Sequence, residues 1–309
     1  MSFASRVKKE LQEQIGKSKH CQLAELAAYF SVCGSVVMKE DGSLELDFQT
    51  ENLTVIEKSY ILFRKALRTV PDMSVRGEHL HTLMIRDEED ALRFMNAIDI
   101  EGGDLLVADS VIERQCCKRG FLRGIFVANG SINDPNNGYH LEIVAGPQEF
   151  ALRIQQIIQS FQVEAKIVER KDTYFVYMKD GAAIVDFLNI IGAHKALMEY
   201  ENVRILKEMR NTINRKVNCE TANIKKTVSA GTRQVEDIQF IHDTIGFGSL
   251  SDSLAQIARV RLDNPDISLK ELGELLDPPI GKSGVNHRLR RLSQIAKTQR
   301  EKTQNGGKI

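Results

Sequence analysis

The sequence predicts an α+β protein in which a duplicated, pseudo-twofold N-terminal domain precedes an all-α domain with a helix-turn-helix. Two nonapeptides, residues 26–34 and 122–130, follow one template, and each continues with Ser and a β-branched residue. They lie 96 residues apart, about the length of one small domain per copy. The same order of strand and helix patterns follows each copy, and the chain beyond Val235 carries three helical patterns.

Each half begins with the nonapeptide helix and continues with strands and helices. In the first half, residues 44–48 alternate apolar and polar side chains after a turn at 41–43, which predicts a hairpin. The following patterns predict a helix at 53–70, a second hairpin at 73–86 and a helix at 87–98. The second half repeats this order with strand material at 139–144, a helix at 147–161, strands at 163–179 and a helix at 182–191. We expect a Gly102-Gly103 connection to join the halves.

These patterns divide the chain into five parts. A long polar helical stretch follows the duplicated domain and is interpreted as a connector. The predicted parts are a first half (1–112), a second half (113–192), a basic helical connector (193–234), a helix-turn-helix domain (235–300) and a disordered tail (301–309).

The C-terminal domain is predicted to contain three helices. The first carries apolar residues at helical spacing from Leu254 to Leu262. The second, residues 268–276, opens with Ser268 and Glu271 placed for a capping box. The third is expected to begin at Ser283 as its N-cap and to bury one apolar face, formed by Val285, Leu289, Leu292 and Ala296. The last two helices have the layout of a helix-turn-helix, with the third as the recognition helix.

A formal net charge of zero conceals two basic segments. Of the 309 residues, 42 are Lys or Arg and 42 are Asp or Glu. Residues 203–233 hold eight basic against two acidic side chains, and residues 281–309 hold eight against one. Such clustering is typical of proteins that neutralise the phosphates of double-stranded DNA. Solvated helix faces are the alternative interpretation.

Side chains suited to DNA lie on the outward face of the third helix and near it. Asn can pair with adenine and Arg with guanine in the major groove, whereas Lys and Ser suit phosphates. The second helix and the connector offer hydroxyl, amide and cationic groups for the same purpose. The predicted DNA-binding residues are Ser268, Lys270, Lys282, Ser283, Asn286, His287, Arg288, Arg290, Arg291, Arg215, Lys216 and Asn218.

The composition argues against several other classes of protein. No apolar run approaches the ~20 residues of a membrane span, and charged side chains occur where a signal peptide would be apolar. Five cysteines without a CxxC pair or His-rich spacing predict neither a disulfide framework nor a metal site. We therefore expect a cytoplasmic protein with reduced, structural cysteines, no cofactor, no membrane partner and no small-molecule substrate.

Letter by letter, both nonapeptides resemble the LAGLIDADG helix of homing endonucleases. The resemblance implies a duplicated endonuclease-like fold in which the acid before the last Gly of each copy holds the catalytic metal. Here Cys33 and Asn129 stand at those positions, so the carboxylates that would hold a hard divalent ion are missing. Glu25 and Asp134 are nearby carboxylates, but neither has a symmetric mate. We expect no enzymatic activity, and a residual metal-dependent DNA endonuclease is the alternative.

The first hairpin region is acidic. Residues 36–51 carry five carboxylates against Lys39 alone, and such a surface repels a DNA duplex. The pattern favours a protein partner for this half, or an intramolecular contact with the basic C-terminal domain. A protein-interaction platform with a weak, non-specific DNA tether is a further alternative function. The five carboxylates belong to Glu40, Asp41, Glu45, Asp47 and Glu51.

Three features occur together along almost the whole chain. They are the acid-free nonapeptide pair, the polar segments at 209–215 and 218–223, and the run at 282–290 in the terminal helix-turn-helix. In this combination the chain resembles the WhiA family of bacterial DNA-binding regulators. The resemblance implies a nucleoid-associated DNA-binding protein tied to cell division and chromosome segregation, and to sporulation in filamentous relatives.

Overall fold

The computed structural model describes residues 1–77, 79–99 and 107–305. The chain divides into two compact units, Met1–Glu208 and Met209–Ile309. Within the described ranges, no helix combines the length and the apolar character needed to cross a membrane. The α-helices are α1 (Phe3–Gln12), α2 (Lys19–Cys33), α3 (Leu53–Ala66), α4 (Glu88–Ala97), α5 (Gln115–Asn129), α6 (Gln148–Gln159), α7 (Gly181–Ile191), α8 (His194–Thr244), α9 (Asp252–Asp263), α10 (Leu269–Glu274) and α11 (Lys282–Asn305). The strands are β1 (Gly34–Met38), β2 (Leu44–Thr50), β3 (Asp72–Arg76), β4 (Leu80–Ile85), β5 (Gly130–Ile132), β6 (Leu141–Gly146), β7 (Lys166–Arg170) and β8 (Thr173–Met178).

The first unit contains the same supersecondary structure twice. Each half begins with a nonapeptide helix, α2 or α5, which leads directly into a hairpin, a helix, a second hairpin and a closing helix. The two antiparallel sheets have equivalent strand orders, β1-β2-β4-β3 and β5-β6-β8-β7. The duplicated α+β architecture predicted from the sequence is therefore confirmed.

Helices cover one face of each sheet with aromatic and aliphatic side chains. In the first half, Phe30 of α2, Phe48 of β2, Phe63 of α3 and Phe94 of α4 are buried, with the nearest ring centroids 4.9–6.3 Å apart. Such tilted and edge-on pairs contribute about 0.5–1.5 kcal/mol each beyond their burial. In this cluster Phe48 lies on the face of β2 that is covered by the helices.

The two halves meet along the nonapeptide helices, whose backbones approach closely. A Cβ atom at Gly124 of α5 would lie 2.7 Å from the Cβ of Ala28 and 2.9 Å from the carbonyl oxygen of Glu25. A Cβ at Gly120 would lie 2.8 Å from the carbonyl oxygen of Cys21. All three separations are shorter than real Cβ atoms show, so glycine is required where α5 crosses α2.

A buried ion pair lies beside this helix contact. The Lys58 Nζ is 2.5 Å from the Glu25 Oε1, and both side chains are fully buried. Lys58 also donates to the carbonyl oxygen of Leu11 at 2.6 Å. Arg123 of α5 approaches the other Glu25 oxygen at 3.5 Å and donates to the carbonyl oxygen of Ile191 at 2.8 Å. The network thus joins α1, α2, α3, α5 and the end of α7.

The second unit has its own apolar core. Ile238 and Ile241, near the end of α8, pack with side chains from α9, α10 and α11. The three predicted helices are therefore present, and the last turns of α8 pack against them as a fourth helix. The fully buried members of this core are Ile238, Ile241, Ile257, Ala258, Leu272, Leu276, Val285, Leu289, Leu292 and Ala296.

Two predicted boundaries around the last helix need correction. The N–H of Val285 donates to the carbonyl oxygen of Gly281, so α11 begins at Lys282 and Ser283 lies inside its first turn instead of capping it. The same helix continues to Asn305 because no Gly or Pro follows Gly284 until Gly306. Residues 301–305 are therefore helical instead of a disordered tail. Residues 306–309 and the expected Gly102-Gly103 connection lie outside the described residues.

The connector is not a separate element. Its predicted C-terminal limit at 234/235 falls inside α8, which runs unbroken to Thr244. The compact units divide at Met209, also within this helix. The first turns of the predicted connector, 193–208, therefore belong to the first unit and the remainder to the second.

Replacing Lys58 with Met is expected to lower the free energy of unfolding by about 3–5 kcal/mol, because Glu25 then stays buried without its nearest cation. Urea denaturation followed by circular dichroism measures this change. Lys65→Met is the matched control, since Lys65 is exposed on the same helix, and its effect is expected to stay within about 0.5 kcal/mol. Equal losses in the two variants would contradict a special role for the buried pair.

Candidate nucleic-acid interface

The turn between α10 and α11 is built around a glycine. The N–H of Ile280 donates to the carbonyl oxygen of Gly273 at 3.1 Å. A Cβ atom at Gly273 would lie only 2.2 Å from the carbonyl oxygen of Ile280, so a side chain there would push the turn apart. The predicted capping box at the start of α10 is confirmed: Ser268 Oγ accepts from the Glu271 N–H, and the Glu271 carboxylate accepts from the Ser268 N–H.

Helix α11 has one buried apolar face and one polar face. Val285, Leu289, Leu292 and Ala296 are buried, as the sequence predicted. On the polar face the predicted DNA-binding residues Lys282, Ser283, His287, Arg290 and Arg291 are exposed, and Asn286 and Arg288 are half-buried. The division of α11 into a buried and a polar face is therefore as expected, and the polar face is largely open to solvent.

Most of these polar side chains are unengaged. Among the described residues, no hydrogen-bond or ion-pair partner is found for the side chains of Lys282, Asn286, His287, Arg288 and Arg290. Arg291 makes one hydrogen bond on the same helix, 3.3 Å to the Gln294 amide oxygen. These side chains are therefore available to a ligand. Three of them are cationic, and Asn286 carries an amide.

A groove lies beside the start of α11. Its volume is about 440 Å³, and both α8 and the helix-turn-helix contribute to its walls. Four of the predicted residues, Ser268, Lys270, Lys282 and Asn286, line this groove together. The other lining residues are Lys226, Thr227, Ala230, Gln234, Arg261 and Leu269.

The guanidinium of Arg261 is buried in the wall of this groove. Its side chain is only 2% exposed. Arg261 Nε donates to the Gln234 amide oxygen at 3.0 Å, and Nη1 donates to the carbonyl oxygen of Ile267 at 2.8 Å. Burial lowers the pKa of Arg261, and the charge of Asp266 opposes this shift. Among the described residues, neither Asp266 nor any other carboxylate comes within ion-pair distance of the guanidinium. A buried cation without a direct ion pair favours an anion in the adjoining groove.

The remaining predicted residues lie apart from the groove. Arg215, Lys216 and Asn218 are exposed on α8, about two to three turns before Lys226. None of the three lines the groove. They extend the basic character of the helix, and their role in DNA binding stays a prediction.

Comparison with known proteins decides the family. Residues 118–210 match the WhiA LAGLIDADG-like domain, and residues 213–296 match the WhiA C-terminal HTH domain. A protein named "Probable cell division protein WhiA" from Lachnoclostridium phytofermentans is 48% identical, over 96% of this chain and 98% of its own length. The chain belongs to the WhiA family.

Other relatives and a solved structure agree with this assignment. The WhiA protein of Clostridium botulinum, also named a probable cell division protein, is 40% identical over 96% of this chain and 98% of its own length. The crystal structure of full-length DUF199/WhiA from Thermatoga maritima aligns with 96% of this chain and 99% of its own, with a TM-score of 0.60. At 24% identity, that likeness supports the fold.

Some groove residues of this WhiA family member were missed in the sequence analysis. Lys226 and Thr227 belong to the basic stretch, but no motif separates them from their neighbours. Arg261 carries a signal that was overlooked, because it occupies a core position of α9 together with Ile257 and Ala258. A cation at a position where the helical pattern demands an apolar residue indicates a specific buried contact.

The ends of the WhiA nonapeptide helices lack the groups of a nuclease. Cys33 ends α2, and Asn129 ends α5. Burial and the nearby charge of Asp47 raise the pKa of Cys33 to about 12, so its thiol stays protonated at neutral pH. The Asn129 amide donates to the carbonyl oxygen of Val144 at 3.2 Å.

Neither nearby carboxylate replaces the missing ones. Glu25 lies two turns before Cys33 and is held by Lys58 in the core. Asp134 is half-buried, and its carboxylate accepts from the backbone and side chain of Asn136. Both groups are therefore committed to local structure, away from the paired arrangement that a metal site at the helix ends would need.

The acidic hairpin is less exposed than the sequence suggested. Glu45 and Asp47 are buried, and Glu45 forms an ion pair with Lys39 at 2.5 Å. Asp47 accepts a hydrogen bond from the Gln49 amide. Only Glu40, Asp41 and Glu51 of the five carboxylates are exposed. The acidic surface predicted for this hairpin is therefore reduced to three carboxylates, because both Glu45 and Asp47 of β2 are buried, which the alternating pattern did not reveal.

Replacing Arg261 with Met is expected to destabilise the second unit by about 1–3 kcal/mol, because the carbonyl group of Ile267 and the amide of Gln234 lose a buried donor. Thermal unfolding followed by circular dichroism measures the loss. Arg259→Met is the control, as Arg259 is exposed on the same helix. If Arg261→Met unfolds no earlier than Arg259→Met, the buried guanidinium has no structural role.

Proposed function

We propose that this chain is a non-enzymatic, sequence-specific DNA-binding regulator that acts in cell division and chromosome segregation. The proposal rests on one observation: the recognition helix presents unpartnered donors next to a groove lined by Lys226, Arg261, Lys270 and Lys282. It places the protein in the cytoplasm, on the nucleoid. The role in division is supported by the names of relatives that are 40–48% identical to it.

The groove suits a phosphate of the DNA backbone. Three exposed ammonium groups and one buried guanidinium face a space of about 440 Å³, and the Ser268 hydroxyl adds a donor. Lys270 has one weak competitor, since the Glu274 carboxylate lies 3.9 Å away with both groups exposed. Phosphate contacts of this kind position a protein on the duplex without reading its sequence.

The outer face of α11 suits the major groove. Asn286, His287 and Arg290 project from the first half of the helix, where recognition helices contact base edges. A bidentate Arg–guanine or Asn–adenine pair discriminates against a wrong base by about 1–3 kcal/mol. Arg288 and Arg291 flank these residues on the same helix, where they can contact the phosphates on either side.

Replacing Arg290 with Ala is expected to weaken binding to the preferred sequence by about 1–3 kcal/mol and to relax the preference at one position. Lys282→Ala is expected to weaken binding to all sequences alike and to reduce the salt slope by about one. Selection from a randomised duplex library, followed by binding titrations over a salt series, measures both effects.

The two variants control for each other, because both remove one cation from the same helix. A uniform loss in Arg290→Ala would remove its assignment as a base reader. Binding of the unaltered chain without any sequence preference would instead support the weak tether of a protein-interaction platform, with its partner on the first unit.

The paired nonapeptide helices are proposed to have a structural role. Cys33 offers a protonated thiol and Asn129 an amide that is already engaged, so no symmetric carboxylates concentrate Mg²⁺ there. Supercoiled plasmid incubated with the chain and Mg²⁺ is expected to be retarded on a gel and to remain intact. Nicking or linearisation that requires Mg²⁺ and stops with a chelator would show a residual endonuclease and contradict the proposal.

A further inference from the structure

Four potential metal ligands meet at the N-terminal ends of the nonapeptide helices. His20 and Cys21 lie in the first turn of α2, and Cys116 and Cys117 lie in the first turn of α5. Their ligand atoms all lie within 4.8 Å of one another. His20 Nδ1 is 3.3 Å from the Cys21 Sγ, 3.2 Å from the Cys117 Sγ and 3.9 Å from the Cys116 Sγ.

The four residues obey the internal symmetry of the first unit. Positions 20 and 21 are related to 116 and 117 by the same 96-residue offset that relates Cys33 to Asn129. Each half therefore supplies two neighbouring ligands from the second and third positions of an equivalent helix. The cluster lies at the opposite ends of α2 and α5 from the altered endonuclease positions, about 20 Å along each helix.

We infer that His20, Cys21, Cys116 and Cys117 bind one zinc ion, which joins the two halves of the first unit. A Cys₃His set is one of the usual ligand sets of structural zinc sites. With Zn–S near 2.3 Å and Zn–N near 2.0–2.1 Å, tetrahedral geometry separates the ligand atoms by about 3.5–3.8 Å. The observed distances of 3.2–3.9 Å between His20 Nδ1 and the three sulfur atoms span that range.

The surroundings of the cluster suit a bound ion. Neither helix has a side-chain N-cap, so its first N–H groups are not engaged by a capping side chain and face the region where metal-bound thiolates would lie. Three thiolates and one imidazole around Zn²⁺ carry a net charge of −1, and Arg114 lies close by. His20, Arg114 and Cys117 line a cavity of about 400 Å³ through which the ion can enter.

Sulfur and nitrogen ligands separate zinc from the hard cations. Mg²⁺ and Ca²⁺ require oxygen ligands, which this set does not supply. Four protein ligands also leave no open position, which indicates a structural role instead of a catalytic one. Adjacent ligands, as in His20-Cys21 and Cys116-Cys117, give no recognisable spacing motif. For this reason the absence of CxxC and His-rich patterns predicted no metal site.

The test is a zinc titration of the full-length chain. Protein purified with a reductant and stripped with a chelator is titrated with Zn²⁺ against a chromogenic competitor. The unaltered chain is expected to bind one zinc ion. Cys116→Ser is expected to bind it more than ~10-fold more weakly, because removing a ligand costs more than the 10–100-fold typical of an outer contact. Co²⁺ in place of Zn²⁺ is expected to give the intense visible absorption of a tetrahedral thiolate site.

Two variants guard against misfolding and unspecific loss. Cys116 is exposed, so its replacement is expected to leave the far-ultraviolet circular dichroism unchanged, and Cys117→Ser repeats the test at a buried ligand. Cys219→Ser removes an exposed cysteine outside the cluster and is expected to bind zinc like the unaltered chain. DNA binding by Cys116→Ser is expected to be retained, so failure of this inference is separable from failure of the proposed function.

Several outcomes would overturn the inference. One is the absence of tight, one-to-one zinc binding by the unaltered chain. Another is equal zinc affinity of Cys116→Ser, Cys117→Ser and Cys219→Ser. A third is a titration of three free thiols instead of five in the denatured, unreduced protein without bound zinc, which would reveal a disulfide at the cluster.

Discussion

The close contact between α2 and α5 is the constraint on which the first unit depends. Gly120 and Gly124 remove the side chains that would hold the two helices apart. The approach brings the Glu25 carboxylate into the core, where Lys58 and Arg123 must balance its charge. Since a buried pair of this kind gives little net stability but is costly to break, it selects one packing arrangement over others. The two sheets are then placed by the helices that lead into them.

This symmetric helix pair has two ends with different chemistry. At the C-terminal ends, the positions that hold catalytic acids in the resembled endonucleases carry a thiol and an amide, Cys33 and Asn129. At the N-terminal ends, three thiols and an imidazole converge instead. The duplication places equivalent positions at the same end of each helix, and at the N-terminal ends these positions meet. The fold alone therefore does not determine function, which depends on the groups present at each end.

The sequence predicted the repeated, locally encoded elements of the structure well and the contacts between distant segments poorly. Nonapeptide matching and apolar periodicity predicted both halves, the capping box at Ser268 and the buried face of α11, because these features are local. The contacts of Arg261 and the meeting of Cys21 with Cys116 depend on how distant segments pack, which no spacing rule reveals. The start of α11 was misplaced because Ser283 is a good N-cap residue by type, whereas the backbone hydrogen bond to Gly281 decides where the helix begins.

Electrostatics in the second unit favour an anionic ligand over an internal partner. In the first unit the buried Lys58 forms an ion pair with Glu25, whereas no such ion pair is found for Arg261 among the described residues. Instead the guanidinium is oriented by amide and carbonyl oxygens, and the Asp266 carboxylate raises its pKa only from beyond ion-pair distance. Lys226, Lys270 and Lys282 add further positive charge to the same groove. Like charges gathered around one concavity repel one another, and that cost is relieved when a phosphate enters. Under the proposed function a DNA phosphate is that anionic ligand, and its binding to the folded chain would raise the stability of the second unit.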